Sequence, residues 1–86
     1  MSAEIIISEW PKNSRETLRV RIDNFKGQAV IDCRAWFKSG NGNWRPGRGG
    51  LTVSIRHLPA LASALAKAME TAHAAGLIPS NGPQTD

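Results

Sequence analysis

The sequence has a single cysteine, Cys33, so no disulfide can close within the chain, and its two histidines, His57 and His73, complete no Cys/His set at zinc spacing. Neither covalent staples nor a structural metal are expected to reinforce the fold. No apolar run approaches the roughly 20 residues that span a bilayer. The start MSAEIIISEW lacks the basic residues and the small-residue cleavage site of a signal peptide. The expected setting is soluble and intracellular, with no membrane partner: the cytoplasm or nucleoid of a prokaryote, or the nucleus of a eukaryote. Catalytic signatures are equally scarce. Gly40, Gly42 and Gly47 do not have the spacing of a dinucleotide fingerprint, and no Walker lysine follows Gly47–Gly50. His57 and His73 have no visible nucleophile beside them. Asp23 and Asp32 read as solvated or salt-bridged surface groups. The chain is expected to be no enzyme and to use no cofactor and no metal.

What is present is one short domain with an uneven charge. Of 86 residues, 41% are apolar and 21% charged, the composition of a globular chain. Residues 1–76 read as the folded domain and 77–86, polar with proline and glycine, as a loose tail. A domain this short has a small core, and without disulfides or metal the remaining way to bury more apolar surface is self-association. A homodimer is expected. The net charge of +4 conceals a concentration of ten basic residues against three acids between Lys12 and Arg56. All five aromatics, Trp10, Phe25, Trp36, Phe37 and Trp44, also lie in the first 44 residues. Basic groups neutralise phosphates, and aromatic faces stack on unpaired bases, so the mixture suits a single-stranded nucleic acid.

Periodicity gives the architecture. Ile5–Glu9 reads as a short strand, followed by turn residues Pro11–Ser14. Leu18, Val20 and Ile22 alternate with Arg19, Arg21 and Asp23, a strand with one buried face and one largely cationic wet face. Phe25–Gln28 is a glycine-containing turn. From Ala29 to Lys38 runs the longest strand, with Ile31, Cys33, Ala35 and Phe37 on one parity and Val30, Asp32, Arg34 and Trp36 on the other; Cys33 reads as a packed core thiol. Ser39–Asn43 is a hairpin turn of the Asn-Gly type. Trp44–Gly50 reads as a loop whose two arginines offer forked donors to phosphate, and Leu51, Val53 and Ile55 as a fourth strand. After that the period becomes helical: Leu58, Leu61, Leu65, Ala68, Met69 and Ala72 form one stripe, closed by Gly76. Ser54 is the N-cap candidate, although Pro59 then falls just past the first turn. With only Lys67 and Glu70 charged in the helix, Leu58, Leu61, Leu65 and Met69 are expected to cover the sheet. Ala64 and Ala68 are expected to meet a symmetry mate, with Leu61, Leu65 and Met69 also assigned to that interface.

The run Arg21-Ile-Asp-Asn-Phe-Lys-Gly-Gln-Ala-Val-Ile-Asp-Cys-Arg-Ala-Trp-Phe37, followed by Trp44-Arg-Pro-Gly-Arg-Gly-Gly-Leu-Thr-Val53, resembles the single-stranded-DNA-binding domain of the transcriptional coactivator family called positive cofactor four. The resemblance covers roughly residues 17–72. It implies an α+β fold, a four-stranded curved antiparallel sheet followed by one C-terminal helix, dimerising largely through the helices and holding single strands with little sequence preference. It also implies DNA contacts at Phe25, Lys26, Gln28, Arg34, Phe37, Arg45, Pro46, Gly47 and Arg48. Trp36, Lys38 and Trp44 join this set from the strand and loop reading. Strict alternation puts Trp36 on the face of Arg34, while the family comparison favours Phe37; a bulge is one way to reconcile them. Gln28 and Gly49 stand where family members often carry lysine, and Trp44 adds an aromatic beside the basic loop. The serine-rich extension of eukaryotic members is absent, which points to a compact prokaryotic or viral type.

The resulting expectation is a dimeric, non-enzymatic single-stranded-DNA-binding protein. It would act as a transcription cofactor or regulator, with the transcription machinery as a further partner, or in replication or repair. Two alternatives use the same surface: an RNA-binding or RNA-chaperone domain, and an interaction module for an acidic protein.

Overall fold

The computed structural model describes residues 4–78. The sheet is a simple antiparallel meander, β1 (Ile5–Pro11), β2 (Glu16–Phe25), β3 (Gln28–Lys38) and β4 (Trp44–Ser54), with spatial order identical to chain order. A 3-10 turn, Ile55–His57, leads into α1 (Leu58–Ala74). The expected tail lies outside the described residues from position 79 onward.

Each turn has a local cause. Asn13 Oδ1 accepts the backbone N–H groups of Arg15 and Glu16, both at 2.8 Å, and so closes the β1–β2 connection. Lys26 (φ 54°) and Gly27 (φ 83°) both adopt the left-handed conformation, the signature of a two-residue type I′ hairpin whose twist matches that of the strands. The Asn-Gly turn closes β3 to β4 as expected, with Ser39 N–H donating to Asn43 O at 2.7 Å. At the end of α1, Gly76 (φ 73°) completes a Schellman closure in which Leu77 N–H reaches Ala72 O at 2.9 Å.

The register separates two faces. One carries Arg19, Arg21, Asp23 and Phe25 from β2, Gln28, Asp32, Arg34, Trp36 and Lys38 from β3, and Trp44, Pro46, Thr52 and Ser54 from β4. The reverse face carries Leu18, Val20, Ile22, Ile31, Cys33, Ala35, Phe37 and Leu51. Val30 and Ile31 are the only buried hydrophobic residues among those described, so the core is confined to the middle of the sheet, near the 3-10 turn.

Three expectations need correction. The stretch Trp44–Gly50 is part of β4 rather than a loop, because β4 is an edge strand where proline and glycine are tolerated. Ser54 caps nothing with its side chain; the intervening 3-10 turn moves the start of α1 to Leu58 and puts Pro59 in its first turn, where a missing N–H costs nothing. The helical stripe does not cover the sheet of its own chain. Leu65 is 60% and Met69 48% exposed, and Ala64 and Ala68 are exposed with them, because α1 departs from the sheet after the 3-10 turn.

Candidate nucleic-acid interface

At the centre of the polar face lies an aspartate that the sequence places at the surface and the fold buries. Asp32 is 2% exposed. Its Oδ1 accepts from Thr52 Oγ1 at 2.6 Å and from Arg34 Nε at 2.8 Å, and its Oδ2 from Arg21 Nε at 3.0 Å. Burial by itself would raise the carboxyl pKa; the hydrogen bonds from Thr52, Arg34 and Arg21 outweigh it and hold the group below the usual carboxylate range.

Arg34, expected on solvated surface, is correspondingly enclosed, its side chain 19% exposed. Besides Asp32 its guanidinium donates to Gly47 O (2.9 Å) and Thr52 Oγ1 (2.8 Å), both on the neighbouring strand. The side chain can lie across β4 because its register partner is Gly50, where a Cβ would stand 2.5 Å from Arg34 Cβ.

The wet face of β2 is less cationic than its alternation suggests. Arg19 Nε donates to Glu9 Oε1 at 2.7 Å, and Arg21 Nη1 donates to Glu4 and, at 3.1 Å, to Asp23. Arg19, Arg21 and Arg34 thus face Glu4, Glu9, Asp23 and Asp32, and the middle of the sheet carries no surplus of positive charge. Both β2 arginines stack on Trp36, with guanidinium carbons 4.5 and 5.0 Å from the ring centroid. The Trp36 indole Nε1 is buried with no hydrogen-bond partner among the described residues. Trp36 is thus half-buried and packed against two arginines.

The pairing of β2 with β3 is unbroken from Glu16↔Phe37 to Phe25↔Gln28, so Trp36 keeps the face of Arg34 and Phe37 that of Cys33. The bulge lies on β4, where Gly47, Arg48 and Gly49 intervene between the pairs Arg34↔Gly50 and Trp36↔Pro46. Phe37 and its register partner Arg45 consequently stand on the reverse face.

Five of the expected contact residues, Phe25, Gln28, Arg34, Pro46 and Gly47, line one open groove of about 610 Å³ on the polar face. Arg21, Asp23, Asn24, Thr52 and Ser54 line it too, and were not singled out from sequence as contacts; the β2 alternation marks Arg21 and Asp23, but the β4 contributors emerge only from register. At one end Phe25 is 60% exposed, with Lys26 Nζ 5.4 Å from its centroid. At the other end of β3, Trp44 is exposed on the same face and Lys38 Nζ lies 5.9 Å from its ring. The eleven residues of β3 separate these ends by about 35 Å. Arg48 lines a smaller hollow of about 360 Å³ with Lys12, Leu18 and Cys33. Burial and then the charge of Asp32 push the Cys33 thiol pKa up, which suits packing rather than reactivity. Among the described residues no group of His, Cys, Asp and Glu is arranged to hold a metal ion, and no helix is long and apolar enough to cross a membrane.

Comparison with known proteins agrees with this architecture. No curated protein sequence matches the chain. A bacteriophage T5 homologue of the eukaryotic transcription coactivator PC4, implicated in recombination-dependent DNA replication, superposes with a TM-score of 0.68 at 20% identity, over 84% of this chain and 81% of that one. A PC4 homologue from Burkholderia pseudomallei gives 0.67 at 19% identity, over 78% and 90%. MoSub1, solved as a complex with DNA, gives 0.59 at 20% identity, over 92% and 90%. These likenesses show a shared fold. The family model described as Transcriptional Coactivator p15 (PC4) matches residues 12–64, from the β1–β2 turn through all the strands of the groove into the first turns of α1, and the chain belongs to the PC4 family.

Proposed function

We propose that the protein binds single-stranded DNA as a homodimer, without enzymatic activity, along the polar face of β2–β4, and serves transcription, replication or repair. The observation that carries this reading is the alignment on one face of two exposed aromatic–lysine pairs, Phe25 with Lys26 and Trp44 with Lys38, at opposite ends of β3, with Phe25 lining an open groove on that face. Unpaired bases have faces for such rings to stack on, at about 1–3 kcal/mol per base, and a matched duplex does not. The phosphates that flank them meet Lys26, Lys38 and Arg48, none of which forms a salt bridge among the described residues. Family membership and the DNA complex of MoSub1 support the same reading.

Self-association belongs to it for a separate reason. The reverse face leaves Leu51, Phe37 and Trp10 exposed, and α1 leaves Leu65 and Met69 exposed, so one chain lacks a cover for either surface.

The test is a competition titration in which unlabelled single-stranded DNA, duplex DNA and RNA displace one labelled oligonucleotide at stated salt. Single-stranded DNA should compete best, and log Kd should rise with log salt by about 0.7 per phosphate neutralised. Equal or better competition by blunt duplex rejects the reading, better competition by RNA replaces the ligand, and an affinity indifferent to salt removes phosphate contacts from the site.

A further inference from the structure

The groove itself is built for something other than phosphate. Four charged side chains line it, Arg21, Asp23, Asp32 and Arg34, and they pair with one another through hydrogen bonds of 2.8–3.1 Å. No unpaired cation lines it among the described residues, so a phosphate entering would meet two carboxylates without a free counter-charge. The groups that can take phosphate, Lys26 and Arg48, do not line it. What enters is therefore the base, and the wall at the β2–β3 turn sets which edge it prefers.

That wall consists of Asp23, Asn24 and Gln28. Asp23 accepts one N–H on each oxygen, from Arg21 Nη1 at 3.1 Å on Oδ2 and from the Asn24 backbone at 2.7 Å on Oδ1. A carboxylate has about four acceptor positions, so each oxygen retains one, and 26% of the side chain is open to solvent. Asn24 Oδ1 is occupied by the Gly27 N–H at 3.0 Å, which leaves its amide nitrogen as the unused group. The Gln28 amide makes no hydrogen bond among the described residues. The wall thus offers a charged acceptor beside neutral amide donors. Its complement is an exocyclic amino group beside a ring-nitrogen acceptor, the edge that cytosine and adenine present. Uracil and thymine put a carbonyl oxygen where cytosine carries the amine, and that oxygen would face the Asp23 carboxylate.

We propose that Asp23 is a base-discriminating residue of this groove and makes it favour amino-bearing bases over uracil and thymine. The proposal rests on the single-strand reading of the face and goes beyond it, since stacking and phosphate contacts alone give little preference between pyrimidines.

Anisotropy titrations of the protein with oligodeoxycytidine and oligodeoxyuridine of equal length test it, at one salt concentration and mildly alkaline pH so that cytosine remains unprotonated. The two ligands differ only at the edge in question. Deoxycytidine should bind about tenfold more tightly, the effect of one hydrogen bond to a charged group. Asp23→Asn should bring the ratio close to one while tightening both titrations, because it removes a negative charge beside the strand; Asp23→Glu should keep the preference. Gln28→Ala, which alters no hydrogen bond of the fold, should also lower the ratio and serves as the second variant if Asp23→Asn loses its far-UV circular dichroism. Equal affinities in the unsubstituted protein, or a ratio that both variants leave intact, overturn the proposal. Failure to bind either oligonucleotide instead overturns the single-strand reading beneath it.

Discussion

Asp32 joins three strands through one side chain, accepting from Arg21 on β2, Arg34 on β3 and Thr52 on β4. Its pKa is lower in the folded chain than the roughly 3.9 of an unfolded aspartate, so the ionised form stabilises the fold. That contribution is complete above the unfolded value and disappears as pH falls through the folded one. Thermal unfolding should therefore show stability steady with respect to this group near neutral pH and declining below about pH 4. Asp32→Asn should cost about 3 kcal/mol at neutral pH and flatten the acid decline, because it leaves two partly buried arginines short of a counter-charge. An acid limb of unchanged steepness in the variant would assign the decline to other carboxylates. The alternation of β3 does place Asp32 with Arg34, and that much is readable from the chain. Burial is not, because it depends on Arg21 and Thr52 arriving from strands whose offsets the sequence does not state.

Among the elements, β4 departs furthest from its composition. Trp44–Gly50 contains a proline and three glycines and has the chemistry of a loop, yet it continues the sheet as an edge strand whose bulge absorbs the extra residues. Glycine is required at one of these positions and dispensable at another. A Cβ at Gly50 (φ 155°) would stand 2.5 Å from Arg34 Cβ and 2.8 Å from Cys33 O, so Gly50→Ala should force β3 and β4 apart and cost about 2 kcal/mol or more in denaturant unfolding. Gly49 faces open space at an ordinary φ. Gly49→Lys should leave stability within about 0.5 kcal/mol and, beside Arg48, tighten single-stranded DNA while steepening the salt slope by about 0.7. An unchanged slope would put the bulge outside the phosphate path. The other elements were legible for physical reasons: β2 alternates strictly, β3 keeps Ile31, Cys33, Ala35 and Phe37 on one parity, and α1 repeats Leu58, Leu61, Leu65 and Met69 at helical spacing before Gly76. The direction of α1 was not, since an apolar stripe specifies that something covers it and leaves open which molecule does.

For the whole molecule, the accessible area of 6740 Å² exceeds the roughly 5,000 Å² of a compact monomer of 9.3 kDa, and its least extent is only 18 Å. A single sheet with an uncovered apolar face and a projecting helix gains most from a second copy. Leu65→Glu changes a side chain that is 60% exposed in one chain, so it should leave the isolated fold unstrained and yet prevent association by placing a carboxylate in the interface. Light scattering should report dimers for the unsubstituted protein and monomers of lower melting temperature for the variant. A stable, well-folded monomer of the unsubstituted chain at micromolar concentration would remove the premise.

The chain-order meander also governs how the protein reaches this state. Every strand pairs with its neighbour in sequence, one of them across a two-residue turn, so contact order is low and hairpins of this kind zip within microseconds. With Val30 and Ile31 as its only buried apolar side chains among those described, the zipped chain has a minimal core, which the second copy of the proposed dimer would complete. Refolding should accordingly accelerate with protein concentration while unfolding does not. On the proposed dimer, built through the reverse face and α1, the polar face plays no part in that encounter, so nucleic acid bound there would not compete with subunit exchange and would shift the equilibrium toward the native assembly by mass action.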